Sequence, residues 1–239
     1  VQDEIQSCLE KRGDVCRYMT DYERMKNGRH TPGEYVPEDT QCIITIGGDG
    51  TLIQAARDLA GRNIPMLGIN RGHLGFLNQV DRTEDIDAAM DALVNERFRL
   101  EHRMMLRGTV FHEGKPVFQD IALNEIIATS AEHLRVLRYD LAVNDEYLNE
   151  YAVMVATPTG STAYNLSAGG PVMAPAGRMM AVTPVCSHTL NARSIVISEE
   201  DRVKIGLLGK GLVTFDGDTS QKTGPGDYLI VERSDNPRD

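Results

Sequence analysis

Gly47-Gly48-Asp49-Gly50-Thr51 stands between a continuous apolar and β-branched run, Cys42 to Ile46, and a stretch whose apolar residues recur at helical spacing. Glycines at the carboxyl end of a parallel strand let backbone N–H groups close on a phosphate, and the next helix N-terminus adds about half a positive charge. A carboxylate in that place repels phosphate, so Asp49 points to different chemistry, either accepting the proton of a hydroxyl nucleophile or holding a metal. The plainer alternative is a strand-to-helix turn in which Asp49 caps the helix.

Two further groups carry polar chemistry. Thr157-Pro158-Thr159-Gly160-Ser161-Thr162-Ala163-Tyr164-Asn165-Leu166-Ser167-Ala168-Gly169-Gly170-Pro171 follows the apolar run Val153 to Ala156. Hydroxyls and small residues at this density can donate several hydrogen bonds while the backbone comes close, and Tyr164 offers a ring for stacking on a base. An uncharged loop is an unusual surface connection. Asn124-Glu125 interrupts a strand running from Ile121 to Ile127, where the pair either alternates faces harmlessly or reads a nucleobase edge or a ribose diol.

The elements that must hold these residues change class along the chain. Val1, Ile5, Cys8 and Leu9 share a helical face at the opening. Strand, glycine turn, helix (Leu52, Ile53, Ala56, Leu59, Ala60) and a second apolar run, Ile64 to Ile69, predict a βαβ unit with a parallel sheet. Ile86, Ala89, Met90 and Leu93 predict a further helix over about 83–98. From Met104 onward, short β-rich runs alternate with turn pairs at Glu113-Gly114, Asn144-Asp145, Gly209-Lys210-Gly211 and Gly217-Asp218, which is hairpin chemistry. Asp216-Gly217-Asp218 reads as such a turn. The expectation is an α/β nucleotide-binding domain with a parallel sheet over 1–99, then a mostly antiparallel β-sandwich domain over 100–239, with a ligand cleft at the junction.

Composition narrows the partners. With 25 Lys+Arg against 35 Asp+Glu the formal charge is −10, and no basic cluster is present to neutralise a nucleic-acid backbone. No apolar stretch approaches the roughly 18 residues of a membrane helix. Nucleic acid and membrane are therefore not expected as partners. Cys8, Cys16, Cys42 and Cys186 show no C-x-x-C spacing and read as reduced thiols of a cytoplasmic protein, with neither a zinc site nor a disulfide framework.

Taken in order, the three motifs resemble those of the NAD kinase family, together with Gly68-Ile69-Asn70-Arg71-Gly72-His73-Leu74-Gly75-Phe76. The likeness runs from about residue 42 to 218. G-G-D-G alone is shared with lipid kinases, whereas T-P-T-G-S-T-A-Y is far more particular. The resemblance implies transfer of a phosphoryl group from ATP or polyphosphate, carried with a divalent metal (Mg or Mn), to the adenosine 2′-hydroxyl of NAD, giving NADP. It implies that Asp49 accepts the hydroxyl proton and that Gly47, Gly48 and Gly50, with Thr51, line the phosphates. It further implies that Asn124 and Glu125 hold a ribose, that Thr162, Ala163, Tyr164 and Ser167 hold the adenine and nicotinamide ends, and that Phe76 and His73 lie near the nucleotide. A homo-oligomer, dimer or tetramer, is expected on the same ground. A non-catalytic NAD- or NADP-sensing module and a lipid or small-molecule kinase are the alternatives. One departure stands out: the family's Asp-Gly pair before the T-P-T-G strand is absent, the sequence reading Asn149-Glu150-Tyr151-Ala152-Val153. A loop after Tyr151 and a first strand are expected to be missing from these residues, and the role of that Asp is assigned to no residue.

Overall fold

In the computed structural model, residues 1–12, 36–71, 75–131, 139–149, 153–185 and 193–234 are described. They divide into two units, Val1–Glu101 and His102–Pro237. In the first, α1 (Gln2–Glu10) buries Ile5, Cys8 and Leu9, the face set out by its apolar spacing. Strand β1 (Ile43–Gly47) pairs in parallel with β2 (Met66–Asn70), and α2 (Asp49–Asp58) makes the crossover. Helix α3 (Ile86–Val94) follows one 3₁₀ turn over Thr83–Asp85 and stops at Val94, four residues short of the expected end. Its periodic apolar set ends at Leu93, and Glu96 turns to a φ of 50°, outside the helical region. Ile5, Cys8 and Leu9 of α1 pack with Ile69, Val80, Ile86 and Met90 into one cluster, and Arg12 pairs with Asp87 at 3.2 Å across the two helices.

The second unit is a β-sandwich of two antiparallel sheets. In chain order its strands are β3 (Leu106–His112), β4 (Lys115–Ala122), β5 (Glu125–Ser130), β6 (Tyr139–Val143), β7 (Glu146–Asn149) and β8 (Val153–Ala156). After the short helix α4 (Tyr164–Ser167) come β9 (Met179–Pro184), β10 (Ile195–Ser198), β11 (Val203–Leu207), β12 (Gly211–Phe215), β13 (Thr219–Thr223) and β14 (Tyr228–Arg233). One sheet runs β10-β9-β8-β5-β12-β13 and the other β4-β3-β14-β11-β6-β7. Alternating side chains from both inner faces, among them Leu106, Val110, Ile205 and Leu229 against Ile126, Val155, Val213 and Phe215, form one buried core.

Three of the expected turns close hairpins by the chemistry read from them. Glu113-Gly114 and Asn144-Asp145 are two-residue connections with positive φ at both positions (49° and 76°, 48° and 65°). At the third, Asp216 (φ 51°) and Gly217 (φ 70°) turn β12 into β13. Gly209-Lys210-Gly211 closes no hairpin: β11 and β12 lie in different sheets, so this segment carries the chain from one layer to the other. Glycine-rich composition fits both connections, and only the pairing partners separate them.

Candidate active site

The glycine turn follows β1 directly. Gly48 is the N-cap of α2 with extended backbone (φ −84°, ψ −178°), and Asp49 is the first helical residue. Asp49 does not cap the helix. Its carboxylate crosses to a second segment, where Oδ2 accepts the Phe76 N–H at 2.8 Å and Oδ1 accepts the Leu77 N–H at 3.2 Å and Asn78 Nδ2 at 2.9 Å. Gly75 is what lets that segment come so close, since a Cβ there would lie 2.2 Å from Asp49 Oδ1. Three donors fix the direction of the carboxylate. Asn78 lies just past the glycine-rich motif, and no local pattern marks it as a partner of Asp49.

The residues around the turn differ in what surrounds them. A Cβ on Gly48 or Gly50 would meet nothing within 4 Å, whereas one on Gly47 would lie 2.3 Å from Thr51 Oγ1, so Gly47 packs inward on Thr51. The Thr51 N–H donates to Gly48 O at 3.0 Å. Phe76 is exposed over 72% of its surface. His73 lies outside the described residues.

In the second unit, Leu123-Asn124-Glu125 is not the interior of one strand. Ala122 ends β4 in one sheet and Glu125 begins β5 in the other, so Leu123 and Asn124 form the corner between layers. Asp216 holds this corner from one side: Oδ2 accepts the Leu123 N–H at 2.7 Å, and Oδ1 accepts those of Asn124 at 2.8 Å and Glu125 at 3.0 Å. Thr157 holds it from the other, its Oγ1 donating to Leu123 O at 2.6 Å and its N–H to Asn124 O at 2.9 Å. The Glu125 side chain is buried, and its Oε2 has no hydrogen-bond partner among the described residues. Burial first, and then the neighbouring Asp216 charge, push its acid up to about 7.

The Thr157–Pro171 segment divides into an inward and an outward set. Thr157, Thr159, Ser161 and Asn165 are buried and bonded internally. Ser161 Oγ donates to Pro158 O at 2.7 Å and accepts the Met173 N–H at 3.0 Å. Asn165 Nδ2 donates to Pro171 O at 3.0 Å, and its Oδ1 accepts the Thr183 hydroxyl at 2.7 Å. Gly160 passes so near the corner that a Cβ would lie 2.1 Å from Asn124 O. Tyr164 and Ser167 are exposed, and Thr162 and Ala163 are half-buried. Thr162 Oγ1 donates to Thr159 O at 3.3 Å, so of the four residues expected to contact a ligand only Tyr164 and Ser167 are exposed. The corner-holding roles of Thr157 and Asp216 escape a reading of local composition.

A parallel βαβ unit with a glycine turn, continued by an antiparallel β-sandwich, is an architecture shared with solved kinases. The yeast NADH kinase solved in complex with NADH superposes with a TM-score of 0.77 at 26% identity, over 84% of this chain and 62% of that one. An NAD kinase from Archaeoglobus fulgidus solved with ATP shares the fold with a TM-score of 0.79 at 24% identity, over 98% of this chain and 86% of its own. Residues 4–98 match the ATP-NAD kinase N-terminal domain, and residues 123–239 match the ATP-NAD kinase C-terminal domain. The NAD kinase of Lachnospira eligens is 36% identical over 248 residues, covering 95% of this chain and 84% of its own. The chain belongs to the ATP-NAD kinase family, whose enzymes phosphorylate NAD to NADP.

Proposed function

We propose that the chain transfers the terminal phosphoryl group of ATP, or of polyphosphate, to the 2′-hydroxyl of the adenosine ribose of NAD. The new bond joins the ribose 2′-oxygen to phosphorus, the bond from that phosphorus to the leaving diphosphate or shortened polyphosphate oxygen breaks, and Asp49 takes the hydroxyl proton. In a loose phosphoryl transfer the nucleophile loses its proton late, so the placement of the accepting carboxylate matters more than its strength as a base. The observation that carries this reading is the Asp49 carboxylate itself, at a helix N-terminus and aimed by two backbone N–H groups and Asn78. A helix cap would not be held from a second segment.

Gly48 and Gly50 have open space beside their α-carbons, which supports their lining the phosphates, with Gly47 and Thr51 shaping the turn beneath. A Mg or Mn ion would arrive on the polyphosphate as part of the substrate, and among the described residues no three His, Cys, Asp or Glu groups converge. The unpartnered Oε2 of Glu125 supports a ligand hydroxyl there, and Asn124 and Glu125 would hold a ribose of NAD. Tyr164, Thr162, Ala163 and Ser167 would receive the adenine and nicotinamide ends, with Phe76 and His73 near the nucleotide. We place the enzyme in the cytoplasm, following the reading of its cysteines as reduced thiols, and as a homo-oligomer, following the family resemblance. Among the described residues no helix is long and apolar enough to cross a membrane.

Asp49→Asn is the test. It should lower kcat about a thousandfold while calorimetry shows NAD affinity within a few-fold of the unmutated chain. A variant that keeps turnover within about tenfold would remove Asp49 from the proton transfer. An unmutated chain that binds NAD tightly and forms no NADP would favour a sensor.

A further inference from the structure

The Leu123–Glu125 corner is held almost entirely by two residues remote in sequence. All three of its N–H groups donate to Asp216, and Glu125 O accepts the Asp216 N–H at 3.0 Å. Its other two carbonyls, of Leu123 and Asn124, accept from Thr157. At the point where the chain leaves one sheet for the other, no strand can supply these bonds, so one carboxylate at the end of β12 takes the place of a neighbouring strand. The demand on Asp216 goes beyond making a turn. Its φ of 51° is the left-handed conformation that Asp tolerates, and Asn or Gly would satisfy the turn as well. An amide cannot satisfy the corner, because its NH₂ group would face at least one of the three N–H donors.

We infer that Asp216 is a positioning residue for NAD, setting the backbone from which Asn124 and Glu125 present their side chains. This rests on the reading that those two side chains hold a ribose. The carboxylate takes up the three N–H groups with one rigid acceptor, so the direction of both side chains depends on a residue more than 90 positions away in the sequence. The same placement leaves Glu125 and Asp216 as neighbouring acids, one satisfied by backbone donors and the other with an oxygen that no protein group completes among the described residues. A ligand hydroxyl donating to Glu125 would finish that arrangement.

The experiment is steady-state kinetics of the full chain with NAD and ATP, comparing Asp216→Asn, Asp216→Glu, Asn124→Ala and Glu125→Gln. Asp216→Asn should raise the KM for NAD about tenfold, with kcat within about threefold and the KM for ATP unchanged. Asp216→Glu, which keeps a carboxylate one methylene farther out, should raise the KM for NAD about threefold, and it serves as the readout if the Asn variant does not fold. A merely structural role would lower the active fraction, so kcat would fall with both KM values unchanged, and that result would overturn the inference. If Asn124→Ala or Glu125→Gln raises the KM for NAD while neither Asp216 variant does, the positioning role fails and the ribose reading stands. If Asn124→Ala and Glu125→Gln both leave it unchanged, the ribose reading falls, and the positioning role falls with it.

Discussion

At the scale of single residues, three carboxylates are used in two opposite ways. Asp49 and Asp216 each accept from three N–H donors, whereas Glu125 is buried with one oxygen unpartnered among the described residues. The consequence for Glu125 is measurable. Its acid is raised from an ordinary value of 4.5 to about 7, so the folded chain holds that proton more tightly than the unfolded chain does. Stability from this group is fully present below about pH 4.5, declines as pH rises, and is lost above about 7, a change of about 3 kcal/mol at most. The melting temperature of the ligand-free protein should fall between pH 5 and 8, and Glu125→Gln should flatten that part of the profile. A Gln variant with the unmutated slope would show that the burial of Glu125 does not set it. With a ribose on Glu125 as proposed, its hydroxyls donate to the ionised form, and NAD binding should tighten over the same interval.

Elements decide which of the small residues are structural. Gly160→Ala places a methyl group against backbone, 2.1 Å from Asn124 O, where neither segment can give without breaking the corner. It should cost about 3 kcal/mol or more, visible as a drop of several degrees in melting temperature. Gly48→Ala meets nothing within 4 Å, so it should melt with the unmutated chain and, if the proposed phosphate position is right, raise the KM for ATP. The reverse pattern, a stable Gly160→Ala and an unstable Gly48→Ala, would contradict the assignment of the two glycines. These contrasts show where the sequence is legible. The β1–α2–β2 unit could be read because a β-branched run, a glycine turn and a helical period follow one another with no long-range information. The corner at Leu123–Asn124 could not, since the apolar pattern from Ile121 to Ile127 continues on both sides while the chain changes sheets. The hydroxyls of Thr157 and Ser161 look no different in sequence from that of Thr162, and only their burial in the folded chain sorts them. The roles of Asn78 and Asp216 are hidden for the same reason, as their partners come from elsewhere in the chain.

For the molecule as a whole, the charge of −10 sits beside a reaction between two anions, NAD and ATP. The two are compatible if the phosphates are received by backbone N–H groups at one helix N-terminus and by a metal ion they carry, for local dipoles outweigh net charge at that range. What the molecule is proposed to do is specific: it moves a phosphoryl group to one particular hydroxyl of NAD. Phosphorus NMR of the product formed from NAD, ATP and magnesium by the purified chain reads that outcome at the atom concerned, alongside acceptance of the product by an NADP-specific dehydrogenase. The expected result is one new phosphomonoester resonance, at the adenosine 2′ position, and full activity with the dehydrogenase. A phosphomonoester at any other ribose oxygen, or ATP consumed with NAD left unmodified, would contradict it.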